Sequence, residues 1–195
     1  MRLLQPALLA ATLALGATAA SAHSTTFVGT FAPDVLGATG SGTLSLEYDD
    51  DGHTLLINAT WAGLSGTTTN AHIHCCTTAA NTGTAGVALA QASIGRLPDF
   101  PLGVSSGSYV KIIDLTQAGM YSATFVTASG GTAAQAEAHL ISNLMSGNAY
   151  LNIHTTTFGA GEIRTFVTAV PEPETYALML AGLGVVAWVG RRRRG

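Results

Sequence analysis

Alternation of apolar and polar side chains, the mark of a half-buried strand, recurs along this chain from Thr25 to Ala169. Thr25 to Phe31 alternates, and Pro33, Gly37, Gly40 and Gly42 then mark a loop. Thr43-Leu44-Ser45-Leu46-Glu47-Tyr48 and the stretch His53 to Trp61 alternate again on either side of Asp49-Asp50-Asp51-Gly52, which predicts a β-hairpin with Asp-Gly in its tight turn. Thr69 to Cys76 is the third good strand, followed by a small, polar loop from Thr77 to Gly86. Val87 to Ala90, Tyr109 to Leu115, Tyr150 to His154 and Glu162 to Ala169 read as further strands, while Tyr121 to Val126 reads either as a strand or as a turn of helix. Helical periodicity is convincing only over Ala133 to Met145. There Leu140, Ile141 and Leu144 form an apolar stripe, Thr132 and Gln135 have capping-box spacing, and Gly147 stands where a C-terminal cap belongs. Short alternating strands, Gly/Pro turns and a single helix define an all-β class: an antiparallel β-sandwich or barrel with one short α-helix.

The two ends do not share this pattern. Arg2 followed by an apolar run and Ala20-Ser21-Ala22 has the layout of a signal peptide, residues 1–22, so the mature chain is expected to begin at His23. Residues 23–169 then form one domain of ordinary size, large enough to bury a core without staples. At the other end Val170-Pro171-Glu172-Pro173 leads into the apolar run Tyr176 to Val189 and then Arg191, Arg192, Arg193 and Arg194. That run predicts a hydrophobic C-terminal helix over about residues 176–190. It is short for a membrane span, which needs roughly 20 residues, but four arginines would hold its end on the cytoplasmic side.

These tail residues resemble the PEP-CTERM sorting signal of Gram-negative bacteria: Pro171-Glu172-Pro173, a short hydrophobic segment and a terminal arginine cluster, in that order, within residues 170–195. The resemblance implies signal peptidase and an exosortase as processing partners. It also implies a chain anchored by its C-terminal helix in the inner membrane facing the periplasm, then released to the cell surface or the extracellular matrix of polysaccharide and protein. Charge agrees with export. Between the ends stand only Arg96, Lys111 and Arg164 against nine acidic side chains, a net charge of −6, which excludes a phosphate-neutralising, nucleic-acid-binding surface.

Candidate chemistry collects in two stretches, Ala71-His72-Ile73-His74-Cys75-Cys76 and Tyr150-Leu151-Asn152-Ile153-His154-Thr155. On strands, His72, His74 and Cys76 share one face, and His154 shares a face with Asn152, opposite Ile153. One reading is a Zn or Cu site ligated by His72, His74 and His154 with Cys76 as fourth donor. The other is a structural polar network in which the imidazoles bond to backbone, Asn152 or Glu162. Adjacent Cys75 and Cys76 cannot staple distant segments, and a vicinal disulfide, free thiols and metal ligation all remain open. Glu162 and Arg164, on one face of the last strand, suit an ion pair. His139, alone on its helix, stays outside the site. The three aspartates at 49–51 lack the alternate spacing and distal Glu of an EF-hand loop, so the turn reading stands. No Ser-His-Asp order, phosphate loop or paired-carboxylate pattern stands out, so no catalytic residue is assigned.

The two histidine motifs, followed by Gly161-Glu162-Ile163-Arg164 and preceded by the Thr/Gly-rich hairpin, resemble the CHRD domain, the module repeated in chordin and found singly in bacterial exported proteins. Gly86-Val87-Ala88 and the helix ending Leu144-Met145-Ser146-Gly147-Asn148-Ala149-Tyr150 agree with it. Two departures stand out. Cys75-Cys76 replaces the glycine many members have after the second histidine, and Thr165 follows Arg164 where members tend to have glycine. The resemblance implies an extracellular, non-enzymatic interaction or structural module. A looser likeness of the His-x-His strand and later His to the copper-binding strands of Cu,Zn superoxide dismutase leaves metal binding, or a copper/zinc-dependent oxidoreductase, as alternatives.

Overall fold

The computed structural model describes residues 24–171 and 173–192, with the side chains of 173–178 excepted. The expected signal peptide, His23, Glu172, Arg193 and Arg194 lie outside the described residues. The elements are β1 (Ser24–Pro33), β2 (Ser41–Asp49), β3 (Thr54–Ala62), β4 (Thr68–Cys75), β5 (Val87–Leu89), β6 (Gly107–Asp114), α1 (Ala123–Ala128), α2 (Ala133–Met145), β7 (Ala149–Thr155), β8 (Ile163–Phe166), β9 (Thr168–Ala169) and α3 (Pro173–Arg192).

The strands form a curled, wholly antiparallel sheet in the order β5-β4-β7-β8-β1-β2-β3-β6, with β9 beside β8 on the same edge of β1. Strand β1 belongs to both leaves. Phe27 and Val28 pair with Ala169 and Thr168, whereas Ala32 and Pro33 pair with Arg164 and Ile163. Gly29 sits at the changeover because a Cβ there would lie 2.6 Å from the Phe166 carbonyl oxygen and against Thr165 Oγ1. The close approach here is made by Gly29, so Thr165, where members of the resembled family tend to have glycine, is accommodated.

Period-two burial fills the space inside the curl. Phe27 and Phe31 of β1, Leu44 and Leu46 of β2, Leu55, Ile57, Ala59 and Trp61 of β3, and Tyr109 and Ile113 of β6 all point inward. Trp61 stacks on Phe100 at 5.1 Å between ring centroids. Helix α2 adds Ala136, Leu140, Ile141 and Leu144 to the same core. Its ends follow the sequence: Thr132 Oγ1 accepts from the Gln135 amide, and Gly147, with φ of 71°, closes the C-terminus.

Three details depart from expectation. The β2–β3 connection spans four residues, 50–53, because the Asp49 carboxylate gathers the Asp51 and Gly52 amides and His53 takes the left-handed conformation (φ 51°) that an Asp-Gly turn would have needed of its glycine. Residues 123–128 are the short helix α1, capped by Ser122 Oγ accepting from the Phe125 amide, so α2 is not the domain's single helix. The last strand is broken at Val167 into β8 and β9.

At the C-terminus α3 carries exposed Leu180, Leu183, Val185, Val186 and Trp188, with the Arg192 guanidinium 4.4 Å from the Trp188 ring centroid. Among the described residues no helix is long and apolar enough to cross a membrane. At 1.5 Å per residue the run from Tyr176 to Val189 rises only about 21 Å, against a hydrocarbon core of about 30 Å, and glycines at 182 and 184 dilute its hydropathy.

Candidate functional site

Strands β4 and β7 are neighbours, with Ala71 opposite Ile153, His72 opposite Asn152, Ile73 opposite Leu151 and His74 opposite Tyr150. This register sends Ala71, Ile73, Leu151 and Ile153 into the core and puts His72, His74, Tyr150, Asn152 and His154 on the other face. That face is not left to solvent. Every residue of β7 is buried, because the chain after β4 and the turn after β7 fold back across it.

His72 and His154 sit diagonally across the strand pair with ring centroids 4.5 Å apart, and His74 lies 4.8 Å from His72 on its other side. One nitrogen from each of the three comes within 4.8 Å of the others, the one such His/Cys/Asp/Glu group among the described residues. The backbone sets the tautomers. His74 Nδ1–H donates to the Ala85 carbonyl at 2.9 Å and His154 Nδ1–H to the Gly159 carbonyl at 2.9 Å, which leaves the Nε2 lone pair of each ring facing the cluster. His74 Nε2 accepts from His72 Nδ1–H at 3.0 Å. His154 Nε2 is buried without any partner.

Tyr150 stacks flat on His74, with centroids 4.8 Å apart and planes 6° from parallel, and its hydroxyl accepts from the Ala85 amide. Burial, reinforced by His154 and His74, pushes the His72 pKa down to about 3, and burial lowers that of His74 as well. Both rings are therefore neutral at physiological pH, the form in which imidazole ligates a metal.

The flanking polar residues are engaged elsewhere. Arg164 Nε pairs with Asp34 Oδ1 at 2.8 Å and its guanidinium donates to the Gly83 carbonyl, pinning the 77–86 loop over the histidines. Asn152 Nδ2 donates to Asp34 Oδ2. Glu162, fully buried, accepts from Ser65 N and Oγ, Thr39 N and Thr155 Oγ1. Burial alone would raise its pKa, but these four donors together lower it. Neither the expected Glu162–Arg164 pair nor bonds from Asn152 or Glu162 to the histidines form, because Asp34 reaches Arg164 and Asn152 from β1's end while Glu162 turns toward the 63–68 turn.

Cys76 does not join the donor set. Its sulfur is bonded to Cys75, and β4 ends at Cys75, after which the chain continues through a cis peptide. Cys76 Sγ lies 3.6 Å from His139 Nε2 on α2, and His139 Nδ1 meets Ser129 Oγ at 2.9 Å. Sequence reasoning set His139 aside, and no spacing signal links it to a cysteine 63 positions earlier. The anchoring carbonyls of Ala85 and Gly159 lie in loops without periodicity and were likewise hidden.

A half-curled antiparallel sheet with a largely buried three-histidine cluster, followed by a C-terminal helix with arginines in its last turn, defines a β-module with a distinct C-terminal segment. The CHRD domain family matches residues 17–167, and the chain belongs to that family. The PEP-CTERM protein-sorting motif matches residues 169–194, which marks the chain for export and exosortase-dependent sorting to the cell surface. No curated protein and no solved structure matches the chain.

Proposed function

We propose that this exosortase-sorted extracellular protein is a non-enzymatic module of the cell envelope or its polysaccharide and protein matrix, and that its CHRD domain is organised around a metal ion, Zn or Cu, held by His72, His74 and His154. The observation that carries this reading is His154 Nε2: buried with no partner, and clustered with the neutral imidazoles of His72 and His74. Leaving such an atom unpaired costs about 1 to 3 kcal/mol, and a cation among the three nitrogens would remove that cost. The hydrogen bonds from His74 Nδ1 and His154 Nδ1 to backbone carbonyls are the arrangement that orients metal-ligating histidines. An all-nitrogen donor set suits both metals. The roof of Tyr150 and the 77–86 loop favours a closed structural centre over an open catalytic one.

Processing by signal peptidase after Ala22 and by an exosortase near Pro171 would leave this domain free of both hydrophobic ends. Elemental analysis of the exported protein, with titration of Zn and Cu(II) into chelator-treated protein, tests the metal assignment. About one equivalent per chain is expected, with affinity falling at least about 100-fold in His154→Ala. A protein that neither carries nor takes up metal at micromolar concentration overturns it.

A further inference from the structure

Behind the histidine cluster, on the α2 side of β4, lies a second constellation that the metal reading does not use. Cys75 and Cys76 form a disulfide between neighbours in sequence. The two sulfurs are unequally placed: Cys75 is only 6% exposed and packs in the core, whereas Cys76 is half-buried at its margin. Against Cys76 Sγ, at 3.6 Å, stands His139 Nε2. The ring is held in that position by Phe125, stacked on it at 5.3 Å and 14° from parallel, and by Ser129 Oγ at 2.9 Å from Nδ1. A disulfide sulfur has no hydrogen to give, so Nε2 meets it as a free lone pair only in the tautomer in which Nδ1–H donates to Ser129 Oγ, and that is the tautomer able to take up a proton.

A disulfide with one sulfur on a half-buried residue, and a positioned base beside that sulfur, has the parts that thiol–disulfide exchange uses. We propose that Cys75–Cys76 is a thiol-oxidising site, in which Cys76 is the sulfur attacked by an incoming thiol and His139 is the general base. An incoming thiol passes its proton to His139 Nε2 as its sulfur bonds to Cys76 Sγ. The Cys75–Cys76 bond breaks, Cys75 departs with the electron pair, and the proton on His139 returns to it. A second thiol then attacks the substrate sulfur of the mixed disulfide. Its proton goes to the departing Cys76, and the substrate leaves as a disulfide. Two thiols lose two electrons and the cysteine pair gains them, so each chain delivers one disulfide without a further oxidant. An exported location is where such a bond persists until used.

The site is independent of the metal, and the test is run with chelator present. The full chain, purified without reductant, is mixed with reduced glutathione or with a reduced peptide bearing two cysteines. Free Cys75 and Cys76 are then counted over time by alkylation and mass spectrometry. The folded wild-type chain should exchange with both thiols, and faster with the dithiol peptide if the substrate is a polypeptide. His139→Gln should slow exchange about tenfold or more while leaving the equilibrium ratio with glutathione unchanged. Ser129→Ala, which keeps the Phe125 stack, should slow it to a lesser degree and stands in if His139→Gln fails to fold. Equal rates in wild type and the folded variants, or reduction only after unfolding in urea, would overturn the proposal.

Discussion

At His72 and His74, burial makes protonation costly, and the sign of the resulting pH effect follows from the direction of the shifts. An unfolded histidine takes up its proton near pH 6.5. His72 in the fold resists until about 3. Between those values the unfolded chain binds more protons, so metal-free protein should lose stability as pH falls from about 6.5, by up to about 1.4 kcal/mol per pH unit from His72 alone. Urea midpoints at pH 7 and pH 5 measure it, and a flat profile would contradict the buried, neutral assignment. Bound metal should dissociate across the same acid range, because protons compete for the same nitrogens. The sequence disclosed which histidines share a face, since Ile73 and Ile153 had to enter the core. It did not disclose that the opposite face is roofed, because the carbonyls of Ala85 and Gly159 and the carboxylate of Asp34 arrive from loops and a strand end that no periodicity places. Cys76 was misplaced for a related reason: alternation predicts its direction only while the strand continues, and β4 stops at Cys75.

Among the elements, two junctions hold the site's surroundings in place. The 156–162 turn brings Gly159 to His154 and Glu162 to Ser65, and Gly161 within it has φ of 125°, a region open to glycine. A Cβ on Gly161 would collide with the Asn152 amide. Gly161→Ala should therefore cost about 2 to 4 kcal/mol, and a thermal midpoint within a degree or two of wild type would refute the account. The second junction ties the β2–β3 turn to α2. Glu137 Oε1, on a buried residue, accepts from Tyr48 Oη at 2.8 Å and from His53 Nδ1 at 2.9 Å. That carboxylate raises the His53 pKa, chiefly through the hydrogen bond. A raised value means the tie is complete below pH 6.5 and is lost as pH climbs through the folded pKa. In an NMR titration Glu137→Gln should return His53 toward its ordinary value, and no change would show that the contact is absent in solution. The helix and most strand limits were legible because stripe, cap and alternation agreed. The 50–53 turn was not, since its shape depends on Asp49 folding back on its own backbone.

For the whole molecule, the motif at 169–194 separates a folded module from a processing tail. Replacing Pro171, Glu172 and Pro173 together by alanine should leave the tail on the protein. Mass spectrometry of the surface fraction should find residues 176–195 in the variant and not in wild type, and a tail retained in both would exclude release by cleavage.

The pairing of β1 with β8 and β9 has a consequence for how the chain crosses a membrane. Its first strand, next to the expected signal cleavage point, cannot complete its hydrogen bonding until the last strand is available. A sheet in which the first strand pairs with the last ones has long-range topology, which slows folding. Until residues 163–169 are made, a nascent chain lacks the strands that pair with this edge of β1. If the last strand reaches the far side before the sheet forms, folding there would give β1 the partners that hold it.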